Sequence, residues 1–310
     1  MIVGSRLRSF VIILIGLVTL TFFAVRLLPG DPALFMLGDY ATERSLADLR
    51  NRLGLDRPLY EQYAMYWKQI AFGDLGSSLV TRRPVVRDIL GVLPPTIELA
   101  TLGTIIAALI GIPLGALSAI KRRSWIDYLA MSVALLGVSM PLFWLGMLLL
   151  LVFSLFLGWF PSTGPPRDAG FAVRIYYAFL PSLTLGIYMA GLLSRVTKSA
   201  VLEVVREDFI RTARSKGLHE YAITVRHILR SSLVPIVTTI GLYFAIQLGG
   251  TVLVETVFAR PGLGSLLVSA VFNRDYPVIQ GVILFFALLL LIINLVTDLI
   301  ISFLDPRIRY

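Results

Sequence analysis

The sequence predicts an all-α membrane protein with six transmembrane helices and both termini on the inner face. Three observations carry that prediction. Of 310 residues, 57% are hydrophobic and 15% charged, with a mean hydropathy of +0.82, too apolar for an ordinary soluble domain. Six stretches offer the roughly 20 mostly apolar residues that a bilayer core of about 30 Å requires. Lysine and arginine concentrate in alternate loops, which orients the chain.

The first stretch is Phe10–Leu28. Arg6 and Arg8 precede it as in a signal peptide, but its apolar run exceeds the usual h-region of about 7–15 residues. No small-x-small cleavage site follows, so it is expected to be a retained helix. In residues 29–95, Leu46, Leu49 and Leu53 recur at helical spacing, with Gly54 and Pro58 as boundaries. Tyr60, Tyr63, Trp67 and Ile70 form a second amphipathic stripe before Gly73-Asp74-Leu75-Gly76. Two short helices on the membrane face account for this segment, and so does a lid or receptor platform. The remaining spans are Thr96–Ile120, Tyr128–Leu157, Tyr176–Ser194, Ile236–Val257 and Val278–Phe303. Pro141 predicts a kink or strong tilt in the third of the six. Residues 158–175, rich in Pro and Gly, form a second outer loop.

With the N-terminus inside, residues 1–9, 121–125, 195–235 and 304–310 hold fifteen basic residues against five acidic ones. The outer segment 29–95 is balanced, eight against eight. The net charge of +9 therefore belongs mainly to the inner face, and nucleic-acid binding is not the reading of the high pI. The absence of cysteine removes disulfides and cysteine-ligated metals.

Within the spans, Gly111-Ile112-Pro113-Leu114-Gly115 has the GxxxG spacing that lets helices approach closely. Gly241, Gly249 and Gly250 serve packing or keep their helix bendable. Glu98, Asp127, Glu255 and Asp298 are expected near helix ends, within reach of water; Gln247 and Asn294 are the deep polar residues. No buried acid chain resembles a proton relay. Enzyme readings fail as well. His219 and His227 both lie in the inner loop, so no intramembrane Ser-His pair forms, and the chain carries neither an HExxH site nor a P-loop. Each histidine is expected to be solvated or to cap a helix.

The inner loop 195–235 is the anomaly in this apolar chain. It reads as a helix Val196–Ser215, a break at Gly217, and a second helix from about Glu220 to Ser232 ended by Pro235. Val201, Val204, Val205, Phe209 and Ala213 give the first helix an apolar stripe. A glycine at the break accepts a left-handed backbone that costs another residue about 1 kcal/mol. A basic amphipathic helix could lie on anionic lipid. The acids Glu203, Glu207 and Asp208 argue instead for docking into the groove of a soluble partner.

Several segments closely resemble the inner-membrane permeases of binding-protein-dependent ABC importers, in the dipeptide, oligopeptide, nickel and glutathione branch. Leu28-Pro29-Gly30-Asp31-Pro32, Leu53 to Leu59, Gly73 to Gly76 and Arg82-Arg83-Pro84-Val85 look like that branch's first outer loop. Arg211-Thr212-Ala213-Arg214-Ser215-Lys216-Gly217-Leu218, followed by Arg226-His227 and Pro235, resembles its "EAA" loop. Pro261 to Gly264, Arg274 to Pro277 and Asp305 to Arg309 resemble its last outer loop and C-terminus. The general loop begins Glu-Ala-Ala where Arg211-Thr212-Ala213 stands here, so the family glutamate's contacts do not carry over.

The resemblance implies a type I ABC importer transmembrane domain: residues 1–28 an N-terminal transmembrane helix, 29–95 an extracytoplasmic helical segment, 96–310 a five-helix permease core. It implies a bacterial or archaeal inner membrane, a second homologous permease subunit (commonly a heterodimer), two ABC ATPase subunits and an external substrate-binding protein. ATP and Mg would belong to the ATPases, with no cofactor in this chain. Asp208, Arg211, Thr212, Ala213, Lys216, Gly217 and Leu218 would form the ATPase-coupling segment. The expected substrates are di- or oligopeptides, with nickel chelates, glutathione or another small solute as the alternative. On the fifth span, Tyr243, Gln247 and Thr251 fall at i, i+4 and i+8 and share one face. With Ser139 and Met140 they line a substrate path or make ordinary interhelix contacts. Glu255 attracts a peptide amino group or anchors its helix at the interface.

Overall fold

The computed structural model describes residues 12–23, 32–37, 41–166 and 168–304. Most of Leu28–Pro32, all of Asp305–Arg309 and both ends of the expected first span lie outside them. Every element among the described residues is helical, and an isolated bridge joins Ser77 to Pro84. The chain divides into two compact units, Met1–Pro94 with Gly262–Leu291, and Pro95–Pro261 with Ile292–Tyr310.

The first unit holds α1 (Ile12–Phe23), α2 (Pro32–Leu37), α3 (Glu43–Leu53), α4 (Leu59–Ala71) and the start of α5 (Val85–Ile120). It also holds α12 (Leu263–Phe272) and most of α13 (Tyr276–Leu304). Thr42 caps α3: its side chain accepts from the Ser45 N–H, while its own N–H donates to Ser45 Oγ at 2.9 Å. Gly54 ends the helix at φ 68°, as its position in the sequence requires. On α4 the packing face is Tyr63 and Tyr66 against Phe22 of α1, with ring centroids 5.1 and 5.6 Å apart. Tyr60, expected on that stripe, stands 72% exposed in the first turn.

Two motifs that look unrelated in sequence meet here. The buried Asp275 carboxylate accepts from the Ser78 hydroxyl at 2.5 Å and from the Leu79 N–H at 3.0 Å. It thereby pins the loop between Gly76 and Pro84 to the start of α13. Beneath it Val85, Ile89, Leu263, Val278 and Val282 form the apolar core of the unit.

The second unit contains the rest of α5 and then α6 (Trp125–Ser139). There follow α7 (Leu142–Leu149, prolonged by a π-helical turn to Phe156), α8 (Phe171–Val204) and α9 (Asp208–Ser215). α10 (Glu220–Ala222) runs into a second π-helical turn, Ile223–Leu229, before α11 (Leu233–Val257). The GxxxG glycines do what their spacing predicts. A Cβ on Gly111 would lie 2.9 Å from the Ala190 carbonyl oxygen, and one on Gly115 2.7 Å from Thr197 Cβ, so α5 and α8 touch backbone to backbone. Gly191 presses α8 against α6 in the same way, and Gly241 seats α11 on Thr297 of α13. A methyl group on Gly249 would meet nothing within 4 Å, so packing does not explain that glycine.

Several expectations need correction. The kink at Pro141 is a break: α6 and α7 are bent by 104°. Met140 is extended (φ −79°, ψ 133°), the conformation a following proline imposes, and Pro141 then caps α7. α5 starts at Val85, well before Thr96, so Glu98 sits inside a helix instead of near its end. Asp127 and Glu255 are buried, at 5% and 0% exposure. Among the described residues four helices, α5, α8, α11 and α13, are each long and apolar enough to cross a membrane, five spans if α6–α7 counts as one. Their outward residues, such as Leu109 at 70% and Leu299 at 63% exposure, are surfaces that lipid would cover.

Candidate functional site

The charged segment 195–235 folds differently from the single helix its apolar stripe suggests. α8 stops at Val204, residues 205–207 turn, and α9 begins afresh at Asp208. The break resets the helical phase. Ile210 and Ala213 therefore point inward, packing with Ala119, Val201, Ile223 and Ile228, while Phe209, expected on the buried stripe, is 45% exposed. Of the expected coupling residues, Asp208, Arg211, Thr212, Lys216, Gly217 and Leu218 are exposed, and Ala213 is an anchor facing the protein. Gly217 takes φ 76°, the left-handed conformation expected at the break. The following turn is fixed by a pairing not evident from the sequence: Arg214 Nε donates to Glu220 Oε1 at 2.7 Å and Nη2 to Oε2 at 3.3 Å. That pairing lowers the Glu220 carboxyl's pKa and raises that of the guanidinium. His219 caps α10, its Nδ1 accepting from the Tyr221 N–H. Pro235 lies in the first turn of α11, where its missing N–H costs no helical bond, so it opens that helix instead of ending the previous one.

At the α6–α7 break lies a cavity of about 390 Å³. Ser139, Met140, Tyr243 and Gln247 line it together with Tyr188 and Met189, which no sequence signal singled out. Gly103 leaves room on α5 for the Gln247 amide. Its Nε2 donates to the Ala100 carbonyl at 3.0 Å, and its Oε1 is buried without a hydrogen-bond partner. Among the described residues no ionisable group other than tyrosine lines the cavity, so it offers hydroxyls, thioethers and apolar surface. Thr251 and Glu255 are not brought to it. Thr251 donates to its own helix at Leu248, and Glu255 accepts from Thr96 Oγ1 at 2.6 Å, fully buried.

Near Glu255 is a buried charge network. Glu98 Oε2 accepts from Arg260 Nη2 at 3.0 Å and from Arg174 Nη2 at 3.2 Å, joining α5, α8 and the loop after α11. Arg260 is 2% exposed. Removing one partner of such a buried pair strands the other charge. Glu98 keeps Arg174 when Arg260 is lost, but the buried Arg260 loses its Glu98 ion pair when Glu98 is removed. Glu98→Leu is therefore expected to destabilise the protein by on the order of 3 kcal/mol, with Arg260→Met added to it restoring part of the loss. Thermal unfolding of the single and double variants checks this; additive losses would show the two groups to be uncoupled.

Comparison with known proteins accords with this architecture. Residues 111–310 match the family described as binding-protein-dependent transport system inner membrane component, and residues 1–100 match its N-terminal companion family. The chain is 41% identical to the dipeptide transport system permease protein DppB of Alkalihalophilus pseudofirmus, covering 98% of each. It is 43% identical to the glutathione transport system permease protein GsiC of Salmonella paratyphi A, covering 99% of this chain and 98% of that one. A putative peptide transport system permease of Brucella abortus is 42% identical over the same shares. Among solved structures, the MetNI methionine ABC transporter in an inward-facing conformation superposes with a TM-score of 0.60 at 18% identity, over 70% of this chain and 96% of that one, a likeness of fold. The chain belongs to the binding-protein-dependent transport system inner membrane components, the membrane-embedded permeases of ABC importers.

Proposed function

We propose that this permease imports di- or oligopeptides handed to it by an extracytoplasmic binding protein, and that partner ATPases drive it through α9 and Gly217. The observation that carries the reading is the exposed segment Asp208–Leu218, held from behind by Ile210 and Ala213 and turned at Gly217. An ATPase groove would receive Asp208, Arg211, Thr212, Lys216 and Leu218, with ATP and Mg bound on two ATPase subunits. A second permease, different in sequence, would complete the pore. The chain would cross the membrane six times with both termini inside, α1 and the bent pair α6–α7 supplying two of the crossings. Ser139, Met140, Tyr243 and Gln247 would line the path. Their uncharged hydrogen-bonding groups suit peptide amides in general and bind no particular side chain tightly, as a conduit needs.

Glutathione is the second reading, favoured by the relatives at 43% identity that are named for it. Reconstitution in proteoliposomes with the neighbouring-gene ATPases and binding protein tests both. ATP-dependent uptake of labelled dipeptides supports the first, and uptake of glutathione alone selects the second. Accumulation of nickel chelates with neither peptide nor glutathione would overturn both.

A further inference from the structure

The proposed coupling requires that movement at α9 reach the cavity, and the apolar contacts of α9 end at α5, α8 and the α10 turn. Of these, α8 lines the cavity itself through Tyr188 and Met189, while α6, which forms the cavity wall at Ser139 and Met140, has no apolar contact with α9 in that cluster. α6 packs on α8 where Gly191 meets Ala134, and a polar cluster ties its first turn to the end of α8 nearer α9. Asp127, in the first turn of α6 and 5% exposed, accepts from Lys198 Nζ of α8 at 2.5 Å, from Ser118 Oγ of α5 and from the Arg123 N–H at 3.0 Å. Both carboxylate oxygens are thus engaged, and three helices are tied at one point. Lys198 stands on the last turns of α8, directly before the break that leads into α9. One turn along α5 from Ser118, Gly115 sits flush against Ser194, Thr197 and Lys198, which packs that end of α8 tightly on α5.

We infer that Lys198–Asp127 is the link through which the coupling segment moves the α6 wall of the cavity. Displacement of α9 shifts the end of α8. The ion pair then draws the start of α6 with it, and α6, a rigid helix ending at the Met140–Pro141 break, moves the wall of the cavity. A charge-assisted pair suits this use because it holds distance and direction, whereas an apolar contact permits sliding. Asp127 and Lys198 are positioning residues on this account, since neither touches the cavity. The inference rests on the coupling role proposed above.

The chain has no cysteine, so Ser139→Cys gives a single thiol in this subunit at the cavity wall. In the full complex, the rate of alkylation at that position is measured with and without ATP and vanadate, alongside basal and substrate-stimulated ATP hydrolysis. With native Lys198 the rate is expected to change several-fold on trapping. With Lys198→Met, ATPase subunits should remain bound and basal hydrolysis stay within about two-fold, while the alkylation response disappears and stimulation falls at least about five-fold. Lys198→Arg, which keeps the charge, should restore both. A Lys198→Met complex that still shows the response and the stimulation overturns the inference. So does one that is merely less thermally stable but responds normally, because the pair is then only a brace. Should the unsubstituted complex show no nucleotide response at all, the coupling role itself fails, a different outcome from failure of the link.

Discussion

Gly217→Pro is expected to abolish substrate-stimulated ATP hydrolysis and uptake while leaving the assembled complex intact. At φ 76° this residue occupies backbone space that proline, fixed near about −65°, cannot enter. Its N–H also donates to the Arg214 carbonyl at 2.9 Å, a bond that proline removes. The turn between α9 and α10 must therefore re-form with another angle. A side chain here would meet nothing within 4 Å, so crowding plays no part and the effect is one of backbone conformation alone. That separates the variants. Gly217→Asn, which tolerates the left-handed region, should retain most activity, and Gly217→Ala should lose about 1 kcal/mol of turn stability and part of the stimulation. Proline should reduce stimulation more than about ten-fold, since a distortion of several kcal/mol at the joint exceeds what the contacts of one short helix restore. Normal stimulation and transport by Gly217→Pro would remove α9 from the coupling role. The order Asn, Ala, Pro read from ATPase assays at equal complex yield is the stronger check, because a purely steric site would give another order.

What was legible in the sequence follows from how local each signal is. The apolar runs of α5, α8, α11 and α13, the Gly54 cap, the left-handed Gly217 and the GxxxG contact depend on residues a few positions apart, and all of them stand in the structure. Phase was harder. The stripe through Phe209 assumed one continuous helix, and the turn at residues 205–207, unmarked by glycine or proline, rotated the face so that Ile210 went inside. The polar residues misled for a related reason. Thr251 and Gln247 share a helical face, yet Thr251 satisfies its hydroxyl on its own backbone, while the Gln247 amide crosses to the Ala100 carbonyl because Gly103 on another helix makes room. Asp127, Glu98 and Asp275 lie near helix ends or in loops when read along the chain. Their burial depends on Lys198, Arg260 and Ser78, between 71 and 197 positions away, and no periodicity encodes such pairs.

Glu255 illustrates how burial changes an experiment. Charge reversal there would put a cation beside Thr96 at a fully buried position, so failure would report misfolding, whereas Glu255→Gln keeps the shape and tests the charge alone.

Gly191→Val is expected to prevent assembly of the helical unit. A Cβ at Gly191 would overlap the Ala134 carbonyl oxygen and come within 2.6 Å of Val138 Cγ2, which places it between the backbones of α8 and α6. Overpacking usually costs about 1–3 kcal/mol because a side chain can rotate away. Here the obstacle is a main-chain carbonyl within a helix, which has no rotamer to adopt, so the helices must separate. Separation lengthens the Lys198–Asp127 ion pair as well, since it joins the same two helices. The cost should therefore exceed the usual range, with Gly191→Ala already lowering the thermal midpoint and Gly191→Val giving little folded protein. Gly249→Ala supplies the contrast: nothing lies within 4 Å of its Cβ position, and alanine is favoured over glycine in a helix by about 1 kcal/mol. It should be neutral or stabilising. Thermal unfolding of the detergent-solubilised protein distinguishes the two, and equal midpoints for Gly191→Val and Gly249→Ala would mean that α6 and α8 do not meet at Gly191.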